Sequence, residues 1–199
     1  MKFTIPNIIS LLRVILSPIF FVLLVQQTND SIVTAFIIYH IAAITDFFDG
    51  YLARKLKSVS EWGNFFDPLA DKVLTTFAFI GFVVIGIANI WLVLIIILRD
   101  VFTTWLRVIA DKMNEPIVTS RSAKWKTFLQ MIYISGILLL MLLHFNGSSN
   151  LYIVLMENQV YQWGILLLAA MTIYTAVEYI KDNRKIFALM LLNKKNRKS

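Results

Sequence analysis

Six stretches of this chain, residues 8–25, 32–51, 65–87, 90–109, 128–145 and 151–180, are apolar over lengths close to what a membrane crossing requires. A helix of roughly 20 apolar residues spans a hydrocarbon core ~30 Å thick. The remaining composition agrees: 58% of the 199 residues are hydrophobic and 16% charged, whereas about a quarter of an ordinary soluble domain is charged. The expectation is an all-α, polytopic integral membrane protein, one domain over residues 1–199 with six transmembrane helices. The first run carries "PNIISLLR", with Arg13 inside it, and lacks a small-residue cleavage site. It is therefore read as a permanent helix and not a cleaved leader. There is no cysteine, so disulfides play no part.

Positive charge sets the orientation. The connections "QQTNDS", "GIAN" and "NGSSN" contain no Lys or Arg, so all 19 cations fall on the other side. The positive-inside rule makes that side cytoplasmic, and an even number of spans puts both termini there. The net charge of +7 is concentrated in the tail, residues 181–199, and reads as a topology signal with attraction to anionic lipid headgroups. It is not read as a nucleic-acid surface. No internal repeat is visible, so the inverted-repeat pattern of many transporters is missing.

The second and third runs are interrupted by acids: Asp46, Asp49, Asp67 and Asp71. At about 100° per residue, Asp46, Asp49, Gly50 and Ala53 fall within one sector of a helix, and Gly63, Asp67 and Asp71 within another. The short link "KLKSVSEWG" makes the two helices neighbours, so the four carboxylates can converge. Counting at about 1.5 Å per residue, Asp46 and Asp71 lie on the order of 10 Å below the cytoplasmic surface, at lipid phosphate depth. Lone carboxylates there cost a few kcal/mol each, and together they repel one another. A divalent cation removes both objections, and oxygen-only ligands favour Mg2+, Mn2+ or Ca2+. Gly50, Ala53 and Gly63 leave room for close approach, and Arg54 can hold a phosphate. Two other readings stay open from the residues alone: buried structural bridges to Arg13, Lys72 or Arg107, or the ion path of a divalent-cation transporter. No acid is expected deep in the first, fourth or fifth run to continue such a path, which counts against transport.

Taken in order, Asp46, Asp49-Gly50, Ala53-Arg54, Gly63, Asp67 and Asp71 reproduce every fixed position and spacing of the signature of the CDP-alcohol phosphotransferases. The chain resembles that family over its whole length as well as in the signature, residues 46–71. The resemblance implies an enzyme that moves a phospho-alcohol group from a CDP-linked donor to an alcohol and releases CMP. It implies divalent metal, Mg2+ or Mn2+ with two ions expected, on Asp46, Asp49 and Asp67. It makes Asp71 the general base and a partner in metal binding, and it places the CDP part against Gly50, Ala53, Arg54 and Gly63. It also implies a homodimer in the cell membrane with the active site facing the cytoplasm. Asn7, Ser10 and Arg13, at spacings of three near the start of the first helix, could reach the donor nucleotide from one side.

Further pieces, "IPNIISLLR", "GNFFDPLADKVL", "LRDVFTTWLR" and "SAKWKTFLQM", resemble the branch of the family that joins CDP-diacylglycerol to glycerol 3-phosphate. Asp100 stands where that branch usually has glutamate, and Ala123 where it has glycine. An anionic acceptor needs cations opposite the acids, and Arg99, Arg107, Arg121, Lys124 and Lys126 are the candidates. Inositol phosphate, serine and phosphatidylglycerol remain alternative acceptors. His40 and His144 are given no role.

Overall fold

The computed structural model describes residues 5–56, 61–112, 117, 120–147 and 151–184, with side chains described for 10–45, 72–110, 117, 120–147 and 151–184. All regular structure among the described residues is helical: α1 (Ile5–Gln26), α2 (Asn29–Leu56), α3 (Glu61–Val84), α4 (Ile90–Lys112), α5 (Arg121–Phe145), α6 (Leu151–Glu157) and α7 (Val160–Asp182). The two helices α5 and α7 are long and apolar enough to cross a membrane by length and composition. Shorter apolar stretches, Ser10–Gln26, Asn29–Thr45 and Lys72–Val84, lie within α1, α2 and α3.

The first five helices coincide with the first five apolar runs, most of them extended at their polar ends, while α3 stops at Val84, short of the end of its run at residue 87. The last run is corrected by the structure. Residues 151–180 form no single helix: α6 ends at Glu157, Gln159 adopts a left-handed conformation with φ 52°, and α7 begins at Val160. Thirty helical residues would measure about 45 Å, well beyond a hydrocarbon core. The polar triplet Glu157-Asn158-Gln159 supplies the break, with Asn158 Nδ2 donating to the carbonyl of Val154 at 2.8 Å. A similar device joins α1 to α2. Gln27 is left-handed, and Thr28 and Ser31 cap each other, Thr28 N donating to Ser31 Oγ at 2.9 Å and Ser31 N to Thr28 Oγ1 at 3.2 Å.

The distribution of side chains is the reverse of a soluble protein's. Large apolar residues such as Ile15, Ile41, Leu98, Trp105 and Ile173 are exposed, while Arg13, Ser17, Asp100, Lys126, Gln130 and Thr172 are buried. Polar groups inside such a bundle must find partners internally. Ser17 Oγ donates to the carbonyl of Arg13 at 2.7 Å, Thr104 Oγ1 to that of Asp100 at 2.8 Å, and Thr172 Oγ1 to that of Leu168 at 2.6 Å. The exposed apolar surface and the two span-length helices make this a membrane-associated helical protein.

α1 packs along both α2 and α3, α4 packs on α3 and α7, and α5 packs on α2, α3 and α7. The core joins Phe20 and Leu24 of α1, Tyr39 of α2, Phe79 and Phe82 of α3, Leu138 of α5 and Ile165 of α7. Small residues allow the closest approaches, as is usual where lipid supplies no hydrophobic drive between helices. A Cβ added at Gly164 would stand 2.6 Å from Cε2 and 2.9 Å from Cδ2 of Tyr133. That ring cannot easily yield, because Tyr133 Oη donates to the carbonyl of Tyr161 at 3.0 Å and the ring centroid lies 6.3 Å from those of Phe79 and Phe82. Gly164→Ala is therefore expected to lower stability by about 1–3 kcal/mol through overpacking. Gly136→Ala, at a position with open space around it, should be neutral or slightly stabilising. Thermal unfolding of the detergent-solubilised pair checks both.

Candidate active site

The signature positions Asp46, Asp49, Gly50, Ala53 and Arg54 lie on α2, and Gly63, Asp67 and Asp71 on α3. Both segments are unbroken helix, as the spacing argument requires. The side chains of residues 46–71, and that of Asn7, lie outside the described residues. Among the described residues no group of three or more His, Cys, Asp or Glu could hold a metal.

One residue past Asp71, the chain enters described territory with Lys72, and here the structure adds a centre that sequence reasoning missed. Asp100, in the middle of α4 and only 5% exposed, is approached from three helices. Lys126 of α5, fully buried, donates its Nζ to Asp100 Oδ1. Arg99 of α4 places Nη1 at 3.2 Å from the same oxygen. Lys72 of α3 brings Nζ to 3.8 Å from Oδ2. The expectation that no acid lies deep in the fourth run is thus overturned: Asp100 sits ten residues into α4 and is buried. What makes a charge tolerable there is pairing, since a lone buried carboxylate would be strongly disfavoured. The legible signal was an acid adjoining an arginine inside an apolar run.

Threonines buttress this knot. Thr103 Oγ1 donates to the carbonyl of Arg99 at 3.0 Å and accepts from Arg99 Nη1 at 3.5 Å. Tyr179 Oη reaches across from α7 to the carbonyl of Thr103 at 3.4 Å. The Nε and Nη2 atoms of Arg99 are buried and have no hydrogen-bond partner among the described residues, and neither does the side chain of Gln130, one turn beyond Lys126 on α5.

The other candidate cations separate by position. Arg107 is half-buried on α4, two turns from Arg99, while Arg121 and Lys124 are exposed at the start of α5. That start is fixed by Ser120, whose Oγ accepts from the Ala123 amide at 3.3 Å, and by Ser122, whose hydroxyl donates to Glu178 of α7. On α1, Arg13 is buried, with Ser10 and Ser17 on the same face. His40 Nδ1 lies 2.8 Å from the carbonyl of Phe36, and His144 stacks on Tyr152, which accounts for both histidines as packing residues.

Among the described residues, three cations face one carboxylate and leave two positive charges in excess, one residue past the end of the acid-bearing segment. Such a cluster suits a multiply charged oxyanion, and arginine suits phosphate in particular.

The model of the CDP-alcohol phosphatidyltransferases matches residues 3–174. The chain belongs to that family. As a CDP-alcohol phosphatidyltransferase it is a transferase enzyme. It is 38% identical over 149 residues to the CDP-diacylglycerol–glycerol-3-phosphate 3-phosphatidyltransferase of Bacillus subtilis (strain 168), covering 69% of this chain and 77% of that one. Proteins of the same description from Rickettsia felis and Haemophilus influenzae are 33% and 31% identical, covering 92% and 91% of this phosphatidyltransferase and 96% and 94% of their own lengths.

Proposed function

We propose that this phosphatidyltransferase transfers the phosphatidyl group of CDP-diacylglycerol to glycerol 3-phosphate, giving phosphatidylglycerol phosphate and CMP. The observation that carries the acceptor is the buried cationic knot around Asp100, in a chain whose relatives over most of its length are named for glycerol 3-phosphate. Serine, a zwitterion of zero net charge, brings an ammonium group along with its carboxylate and cannot offset the excess.

The chain lies in the cell membrane with six spans, α1 to α5 and α7, both termini and the active site facing the cytoplasm, and two copies associate as a homodimer. The observation favouring six spans is that each of these helices has at least 22 residues, or about 33 Å of rise. α6 is too short to cross.

Four aspartates on adjoining helical segments form a donor set of hard oxygens, which fits Mg2+ or Mn2+. Asp46, Asp49, Asp67 and Asp71 would hold the two ions. When bound, the ions neutralise the diphosphate and the departing CMP. Gly50, Ala53, Arg54 and Gly63, with Asn7 and Arg13 from α1, seat the CDP part of the donor. Arg99 and Lys126, assisted by Arg107, Arg121 and Lys124 towards the cytoplasmic end, draw in the acceptor phosphate and orient its glycerol. Asp71 accepts the proton of the attacking hydroxyl.

The test is release of CMP by purified protein given CDP-diacylglycerol and a panel of acceptors. Glycerol 3-phosphate should support turnover, and EDTA should reduce it to background, with recovery on adding Mg2+ or Mn2+. Turnover with serine or inositol phosphate alone would overturn the acceptor. Activity that survives EDTA would overturn the metal assignment.

A further inference from the structure

We propose that Asp100 is a positioning residue of the acceptor site, one that presents the free edge of Arg99 and the ammonium of Lys126 to the acceptor's phosphate. The proposal rests on the glycerol 3-phosphate reading above and adds to it a residue that carries no positive charge and would itself repel the acceptor.

The geometry distinguishes this role from plain charge balance. A counter-ion serving only to neutralise its neighbours would match them in charge, yet Asp100 faces Arg99, Lys126 and Lys72 together. It also engages the guanidinium selectively. Nη1 of Arg99 is the atom turned to Asp100 Oδ1, at 3.2 Å, and to Thr103 Oγ1, at 3.5 Å. The opposite edge, Nε and Nη2, is buried and has no partner among the described residues. That edge is one of the planar forks by which arginine grips an oxyanion with two parallel hydrogen bonds. Leaving buried donors unsatisfied is costly, so an edge held in this way is accounted for by a ligand that supplies two acceptor oxygens. A phosphate monoester supplies them, and its double negative charge equals the excess of the knot among the described residues.

Asp100 also fixes where the ligand can sit. Lys126 and Arg99 come from different helices and share its carboxylate oxygen Oδ1. Lys72, one residue beyond Asp71, reaches the other carboxylate oxygen. The acceptor phosphate is thereby held at a set distance along α3 from the residue proposed to take the acceptor's proton. Small errors in such placement cost rate steeply.

The experiment measures KM separately for glycerol 3-phosphate and CDP-diacylglycerol by CMP release. Asp100→Asn should raise the acceptor KM by at least about ten-fold while the donor KM stays within about two-fold. Asp100→Glu, which keeps the charge, should bring the acceptor KM back to within about three-fold of the unaltered enzyme. An unchanged acceptor KM, a parallel rise in both KM values, or a glutamate variant as impaired as the asparagine would each overturn the proposal.

If Asp100→Asn fails to fold, the double variant Asp100→Asn with Lys126→Met removes both charges of the buried pair and leaves the net charge of the knot as it was. In the unaltered protein, inorganic phosphate should raise the thermal unfolding temperature, and in the double variant it should not. An equal phosphate response in the two proteins overturns the proposal. Failure of the acceptor reading shows separately, as absence of CMP release by the unaltered protein with glycerol 3-phosphate, and the phosphate response then decides alone.

Discussion

Asp71→Asn is expected to lower turnover by about a thousand-fold or more, since a positioned general base contributes roughly 10²–10⁴-fold and asparagine cannot accept the hydroxyl proton. The amide keeps the size of the carboxylate and one oxygen ligand, so CDP-diacylglycerol should still bind. CMP release and equilibrium binding of the CDP-lipid, measured on the same preparation, separate the two quantities. Lost turnover with retained binding supports the assignment. Retained turnover removes Asp71 from the role of base, and loss of both places it instead among the groups that hold the donor.

The second large effect concerns Lys126. Its Nζ is fully buried and bonded to Asp100, so Lys126→Met leaves the carboxylate with one contact at 3.2 Å and one at 3.8 Å. Removing one member of a buried pair typically costs about 3–5 kcal/mol, whereas removing both together is often close to neutral. Lys126→Met should therefore be markedly less stable in a denaturant titration of the detergent-solubilised protein. Adding Asp100→Asn should restore most of the loss. A single variant as stable as the parent would mean that Arg99 and Lys72 suffice to hold the carboxylate.

Much of this was legible because apolar length and charge placement are one-dimensional properties. The ends of α1 to α5 fall where apolar runs meet charged or turn-forming residues, as at Gln27-Thr28 and Lys112, and chain order displays them directly. The signature was equally readable, because its positions recur at helical spacing within two consecutive segments. The split between α6 and α7 was not. Hydropathy averaged over 151–180 remains high across the break, and the determinant is a backbone conformation at Gln159 that any polar triplet only permits.

The meeting of Asp100 with Lys126 escaped for a different reason. The two lie 26 residues apart on separate helices, and no periodicity links them. From sequence, Arg99, Arg107, Arg121, Lys124 and Lys126 are all candidates for the acceptor phosphate, with Arg99, Arg107 and Lys124 nearest to or within apolar sequence. Packing sorts them, with two drawn to a buried carboxylate and two left exposed at a helix start. Asp100 lies in the middle of the fourth apolar run, and what the run does not display is its pairing with Arg99 and Lys126, which lets the acid stay inside.

Helices in lipid slide and rotate against one another with little hydrophobic penalty, since one apolar surface serves as well as the next. The carboxylate of Asp100 removes that freedom for three of them at once. A shift of α5 by a single residue, ~1.5 Å along its axis, would draw the ammonium of Lys126 away from Asp100 on α4, and a comparable slip of α3 would carry Lys72 off as well. Asp100 thus acts as a registration mark, setting the height at which Lys72 of α3, next in sequence to the aspartate proposed to accept the proton, meets Arg99 of α4 and Lys126 of α5.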